Sequence, residues 1–146
     1  MLKRLNKSSL IGLFLIAVMI LSTFAYAVLQ AFYPRTELPK SNIIDYRLDS
    51  QLKQGLIQNG ATIITFEYSV GCFDCENQKF TLESYVKEYQ DQIFLEEIID
   101  ESLNESRITI SSFYGNEELT APDDYQIVAA LCSLMVTPPA QCALLK

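Results

Sequence analysis

Four cysteines hold the reactive chemistry of this 146-residue chain, and two of them form the motif Cys72-Phe-Asp-Cys75. The motif follows Ala61-Thr-Ile-Ile-Thr-Phe-Glu-Tyr68, a run rich in β-branched and aromatic residues. Ser69-Val-Gly71 then turns the chain, and a helical pattern continues to about Gln90. This order predicts strand, turn and helix, with Cys72 at the helix N-terminus. The unsatisfied N–H groups and the dipole at such an end favour a thiolate, the species that attacks disulfides. Cys75, one turn in, is close enough to close a disulfide and to release a mixed-disulfide partner. The chemistry indicated is thiol–disulfide exchange. Asp74 opposes it: a carboxylate beside Cys72 disfavours the thiolate, which makes the disulfide more stable and less oxidising. A static bond that merely pins the helix start is the alternative reading.

Cys132 and Cys142 form the second pair, on a last helix and beyond Pro138-Pro139. In an oxidising compartment four cysteines suit two disulfides, and of three connectivities the favoured one is Cys72–Cys75 with Cys132–Cys142. The second bond staples the tail to the helix. A tetrathiolate zinc site is the rival, but the spacing of Cys132 and Cys142 makes a poor second knuckle, so neither a metal nor a cofactor is expected. The chain has no histidine, which removes Ser-His-Asp and Cys-His pairs and every His-containing metal site. Glu96-Glu97 and Glu117-Glu118 read as solvated charge on strand or turn edges, and Arg107 as one half of a surface ion pair. Asn104-Glu-Ser106 is an N-x-S sequon, a glycosylation acceptor if exported.

The elements that must position these cysteines follow from periodicity. Residues 43–58 carry Ile43, Ile44, Leu48, Leu52, Leu56 and Ile57 at helical spacing, closed by Asn59-Gly60. Ile93 to Ile99 reads as a second strand. Ile108 to Tyr114 is a third, with Ile108, Ile110 and Ser112 on one side. Gly115-Asn116 is the expected turn into a short strand at Glu117–Thr120. Thr120 and Pro122 announce a final helix with Ile127, Val128, Leu131, Leu134 and Met135 on its inner face.

The mean hydropathy of +0.14 has a local source. From Leu10 to Tyr33 no side chain is charged, a stretch long enough for a helix to cross a bilayer, where about 20 residues suffice. Lys3, Arg4 and Lys7 precede it and place residues 1–9 in the cytoplasm by the positive-inside bias. Residues 10–33 are a membrane anchor in contact with lipid, or a signal peptide cleaved near Ala25-Tyr26-Ala27. Either way residues 34–42 form a Pro-stiffened spacer, and residues 43–146 an extracytoplasmic domain. All 18 acidic residues lie at or after Glu37, against 8 basic ones beyond the apolar run. Such a balance excludes nucleic acid as a partner.

Phe66-Glu-Tyr-Ser69-Val-Gly-Cys72-Phe-Asp-Cys75 resembles the first core strand, turn and redox motif of the thioredoxin-like superfamily. The resemblance extends loosely over residues 61–136, as strand, helix, strand, strand and final helix. It implies an α/β fold, a reduced thioredoxin-like domain behind one transmembrane helix. It also implies Cys72 as nucleophile, Cys75 as resolving thiol, and exported thiol or disulfide proteins as partners. A non-catalytic, disulfide-braced subunit of a membrane complex is the alternative. The chain departs from the family in two places. Where the family has a cis-proline opposite its motif, this chain has Glu105-Ser106-Arg107-Ile108, and a non-proline cis bond costs about 2.5–4 kcal/mol. Residues 100–107 are also too short for the family's crossover helix, so the fold is trimmed there or residues 93–104 are partly helical.

Overall fold

A computed structural model describes residues 7–32 and 38–144. They fall into two units, an N-terminal helix and a mixed α/β domain that begins at Leu38. Lys3, Arg4 and residues 33–37 of the expected anchor end and spacer lie outside the described residues.

The first unit is helix α1 (Lys7–Phe32). Its window Ile11–Val28 has a mean hydropathy of 2.4 and buries none of its residues in the structure, so the helix is long and apolar enough to cross a membrane. Thr23, a polar residue inside that window, returns its hydroxyl to the carbonyls of Met19 and Ile20 at 3.1 and 2.9 Å. This satisfies the hydroxyl within the helix, as a hydrocarbon surrounding would demand. The helix passes through Ala25-Tyr26-Ala27 without a break.

The domain is built from β1 (Ile43–Ile44), α2 (Ser50–Gln58), β2 (Thr62–Tyr68), α3 (Cys75–Glu88), β3 (Ile93–Ile99), β4 (Arg107–Ser112), β5 (Gly115–Thr120) and α4 (Asp124–Leu134). A short 3-10 turn at Ala140–Leu144 closes it. The strands form one sheet in the order β1-β3-β2-β4-β5. β1 and β2 run parallel to β3, while β4 is antiparallel to both β2 and β5. β2 lies at the centre, and its β-branched run is buried on both faces. Ile64 and Phe66 point with Leu95, Ile108 and Ile110 into a core closed by Leu82 and Val86 of α3 and Ile127 and Leu131 of α4. Ile63 points the other way, against Leu48 and Leu56 around α2.

Two expectations about the elements are corrected, and of the two alternatives left for residues 93–107 the trimmed one holds. Residues 43–58 are not one helix. Ile43-Ile44 pairs with Leu95 and Glu96, and Asn42 donates its side-chain amide to the carbonyls of Gln90 and Ile93. A helix starts only at Ser50, where Asp49 accepts the Gln51 N–H at 2.9 Å. An Asp N-cap and two β-branched residues beside an open sheet edge outweigh the helical spacing. The β4–β5 reversal falls on Phe113-Tyr114, with Ser112 opposite Gly115 and the Tyr114 N–H donated to the Ser112 hydroxyl at 3.1 Å. Gly115 is the first strand residue and takes a φ of +141°, which a side chain would resist. Residues 93–104 are not partly helical: β3 runs to Ile99, and residues 100–106 lead straight into β4. Among the described residues no helix covers the β4–β5 face on the α2 side, where Thr109, Ser111 and Glu118 lie.

Candidate functional site

The site begins where β2 ends. After Tyr68 the chain turns through Ser69-Val70-Gly71, and the Cys72 N–H donates to the Ser69 carbonyl at 3.2 Å. The helix starts at Cys75 rather than Cys72, because that turn and Asp74 in the capping position occupy the residues before it. Cys72 is bonded to Cys75 as a disulfide, with a Cα–Cα distance of 5.4 Å, so its sulfur still lies at the first turn of α3. The two sulfurs are not equivalent. Cys75 is 3% exposed and packs into the core, whereas Cys72 is half-buried at the rim. Of the two sulfurs, Cys72 is therefore the one an incoming thiolate would reach, with the inner cysteine as leaving group.

Charge around the motif is mostly negative. Asp74 makes no side-chain capping bond, and Glu76 occupies the first turn of α3. One cation stands nearby, at a position sequence reasoning passed over. Lys79 is one turn from Cys75, with Nζ 2.6 Å from Glu97 Oε2, 3.9 Å from Glu83 and 5.9 Å from the centre of the Tyr68 ring. Its ammonium is held above its usual range, chiefly by the hydrogen bond to Glu97; partial burial works against this and the attraction of the same carboxylate adds to it. The sequence signal was a lone lysine four residues after a motif cysteine. Glu96 and Glu97 are not solvated edge charges. Glu96 is completely buried on the α2 face, where it accepts from Lys53 Nζ and the Leu48 N–H, each at 2.8 Å, and from the Thr65 hydroxyl. Central-strand pairing draws both residues inside, and each acquires a lysine, as buried charge requires.

Two grooves flank Cys72. One, on the α3 face, is walled by Tyr68, Val70, Phe80 and Ile99 and contains Lys79. The other separates Cys72 and Asp74 from Glu105, Ser106 and Pro122. Phe73, 92% exposed, stands on its rim. The loop that the family resemblance sets opposite the motif is thus close to it, but with no proline, and no cis peptide bond occurs among the described residues. Ser106 is buried, and its carbonyl accepts the Ala121 N–H at 2.9 Å. Asp100 anchors the start of this loop: bonds from the Ser102 hydroxyl and N–H lower its carboxyl below the usual value. Asn104 is exposed on the same loop and lines the groove.

The other sequence-predicted residues lie elsewhere. Cys132 of α4 is bonded to Cys142 in the 3-10 turn, also with 5.4 Å between Cα atoms, and no free cysteine occurs among the described residues. Gln141 beside it donates to the Tyr85 hydroxyl at 3.4 Å, and burial raises that phenol above its ordinary pKa. Arg107 bridges Glu67 and Glu118 at 3.6 and 3.4 Å, with Arg47 also on Glu67. The register places this network on the sheet face opposite α3.

No protein-family model matches the chain, and no curated protein matches it at a significant level.

Proposed function

We propose that this protein is a membrane-anchored, extracytoplasmic thioredoxin-like protein that exchanges thiols and disulfides on exported proteins. The observation that carries the reading is a half-exposed Cys72 bonded to a buried Cys75 at a strand-to-helix junction. In the oxidised state a target thiolate attacks Cys72 Sγ. A target–Cys72 disulfide forms, the Cys72–Cys75 bond breaks, and Cys75 leaves as a thiolate that takes up a proton. A second target thiolate then attacks the target sulfur of that mixed disulfide. The target disulfide closes and Cys72 is released as a thiolate: the target loses two electrons and the cysteine pair gains them. Run backwards, the same steps reduce a target disulfide. The strand–helix–strand–strand–helix order around the motif supports the family resemblance. The apolar helix α1, with Lys3 and Arg4 before it and Lys7 as its first residue, supports an N-terminus in the cytoplasm and a domain outside.

A second reading has its own support. The loop facing Cys72 lacks the proline and the cis bond of the family, which favours a non-catalytic, disulfide-braced ectodomain that binds a partner in a membrane complex. Insulin reduction and reactivation of a scrambled substrate separate the two. Activity that Cys72→Ser abolishes is the outcome expected. A Cys72 thiol that resists alkylation after mild reduction, with no activity in either assay, makes the protein a brace.

A further inference from the structure

We infer that the groove between Cys72 and the 104–106 and 121–124 loops selects target segments carrying lysine or arginine beside their reactive cysteine. The inference rests on the exchange reading above and concerns which targets that reaction takes. Asp74, Glu105, Asp123 and Asp124 line this groove, and no lysine or arginine does. None of the four belongs to an ion pair among the described residues. Asp123 and Asp124 accept neutral bonds, from the Gln126 N–H at 2.7 Å and the Thr81 hydroxyl at 3.1 Å, so that only the dipole of α4, and no side-chain cation, offsets their charge.

Gln78 supplies an independent sign. It is 6% exposed and lines the same groove, with Nε2 donated to the Pro122 carbonyl at 2.7 Å and Oε1 without any partner. A buried acceptor left unmade costs roughly 1–3 kcal/mol, so a small turn of the Gln78 side chain that brings Oε1 to a donor bound in the groove is rewarded. Both the charges and the free hydrogen-bonding capacity of the groove therefore call for donors. The carboxylates are spread along it: among the described residues no three acidic, cysteine or histidine side chains converge to hold a metal ion. An extended, donor-rich polypeptide fits that spread, and Cys72 on the wall requires the segment to contain a cysteine.

A cationic segment would act twice. It is drawn into the groove by the long-range field, and it offsets the repulsion that Asp74 exerts on a thiolate approaching Cys72. The electron flow is that given above, with the target thiolate bonding to Cys72 Sγ as Cys75 departs.

The test uses the oxidised full chain in nonionic detergent and three peptides with one cysteine flanked by lysine, serine or glutamate. Mixed-disulfide formation at Cys72 is followed by acid quench, alkylation and mass spectrometry. Each rate is divided by the same peptide's rate with hydroxyethyl disulfide, which removes differences in thiol acidity. The lysine peptide should exceed the glutamate peptide by about tenfold at low ionic strength, and by less than about twofold in 0.5 M salt. Asp74→Asn with Glu105→Gln should narrow the low-salt gap, whereas Glu117→Gln on β5 should leave it intact. Equal normalised rates for all three peptides overturn the charge selection and leave exchange standing. No reaction with any peptide overturns exchange itself, and the selection with it.

Discussion

The two disulfides have the same span, 5.4 Å between Cα atoms, yet opposite surroundings. Cys72–Cys75 sits at the N-terminus of α3, where the helix dipole stabilises a thiolate; Cys132 lies in the last turn of α4, where the dipole opposes one. The first closes a loop with a sequence separation of 3, the second one of 10, so chain-entropy stabilisation is roughly 2 kcal/mol against roughly 3. On the exchange reading, the bond that stabilises more would be the one less disposed to exchange. The helix end that a sulfur meets would then set its reactivity, while the Cα span is the same in both pairs.

The strongest way to break that contrast is to remove one pair at a time. Cys72→Ser should abolish exchange in the insulin assay, whereas Cys132→Ala with Cys142→Ala should keep it. That double variant should instead lose about 3 kcal/mol of stability in urea unfolding. If it loses activity and keeps its stability, the assignment of roles is reversed. A graded thiol titration followed by peptide mapping should open Cys72–Cys75 at a lower reductant concentration than Cys132–Cys142. Simultaneous opening would show that the helix ends do not matter.

Finer tests concern the charges near the motif. Asp74→Asn removes a carboxylate beside Cys72, so the reduced form gains and the glutathione redox equilibrium shifts toward dithiol, by roughly tenfold or less. A shift the other way would contradict the repulsion argument. The smallest effect should come from Lys79. Its pKa is raised on folding, so its contribution to stability is complete below the ordinary lysine value of 10.5 and fades as pH rises through the folded value. Glu97→Gln should therefore flatten the alkaline end of the stability profile, measurable as the unfolding midpoint between pH 9 and 12.

Much of this site was readable in the residues themselves. The run Thr62–Tyr68 announced a strand because nearly every position is β-branched or aromatic, and the Cys-x-x-Cys that follows it marked the candidate site. Ile108, Ile110 and Ser112 are buried on one side by the alternation read from sequence. What stayed hidden depended on partners distant in sequence. Ile43-Ile44 becomes a strand because β3 offers an edge, and Glu96 is buried because Lys53 and the Leu48 N–H wait for it. The acidic groove is equally non-local, since Asp74, Glu105 and Asp123 meet only after the sheet has brought β4 and α4 beside α3.

Strand β5 borders the sheet with one side of its backbone unpaired, the kind of rim on which neighbouring molecules can zip together. Glu117 and Glu118 occupy it side by side and, by strand alternation, face opposite ways. A second copy approaching that rim on the Glu117 face meets its own kind of charge, whereas on the other face Glu118 is already held by Arg107, so the outermost strand carries a guard against fibrous stacking on one side.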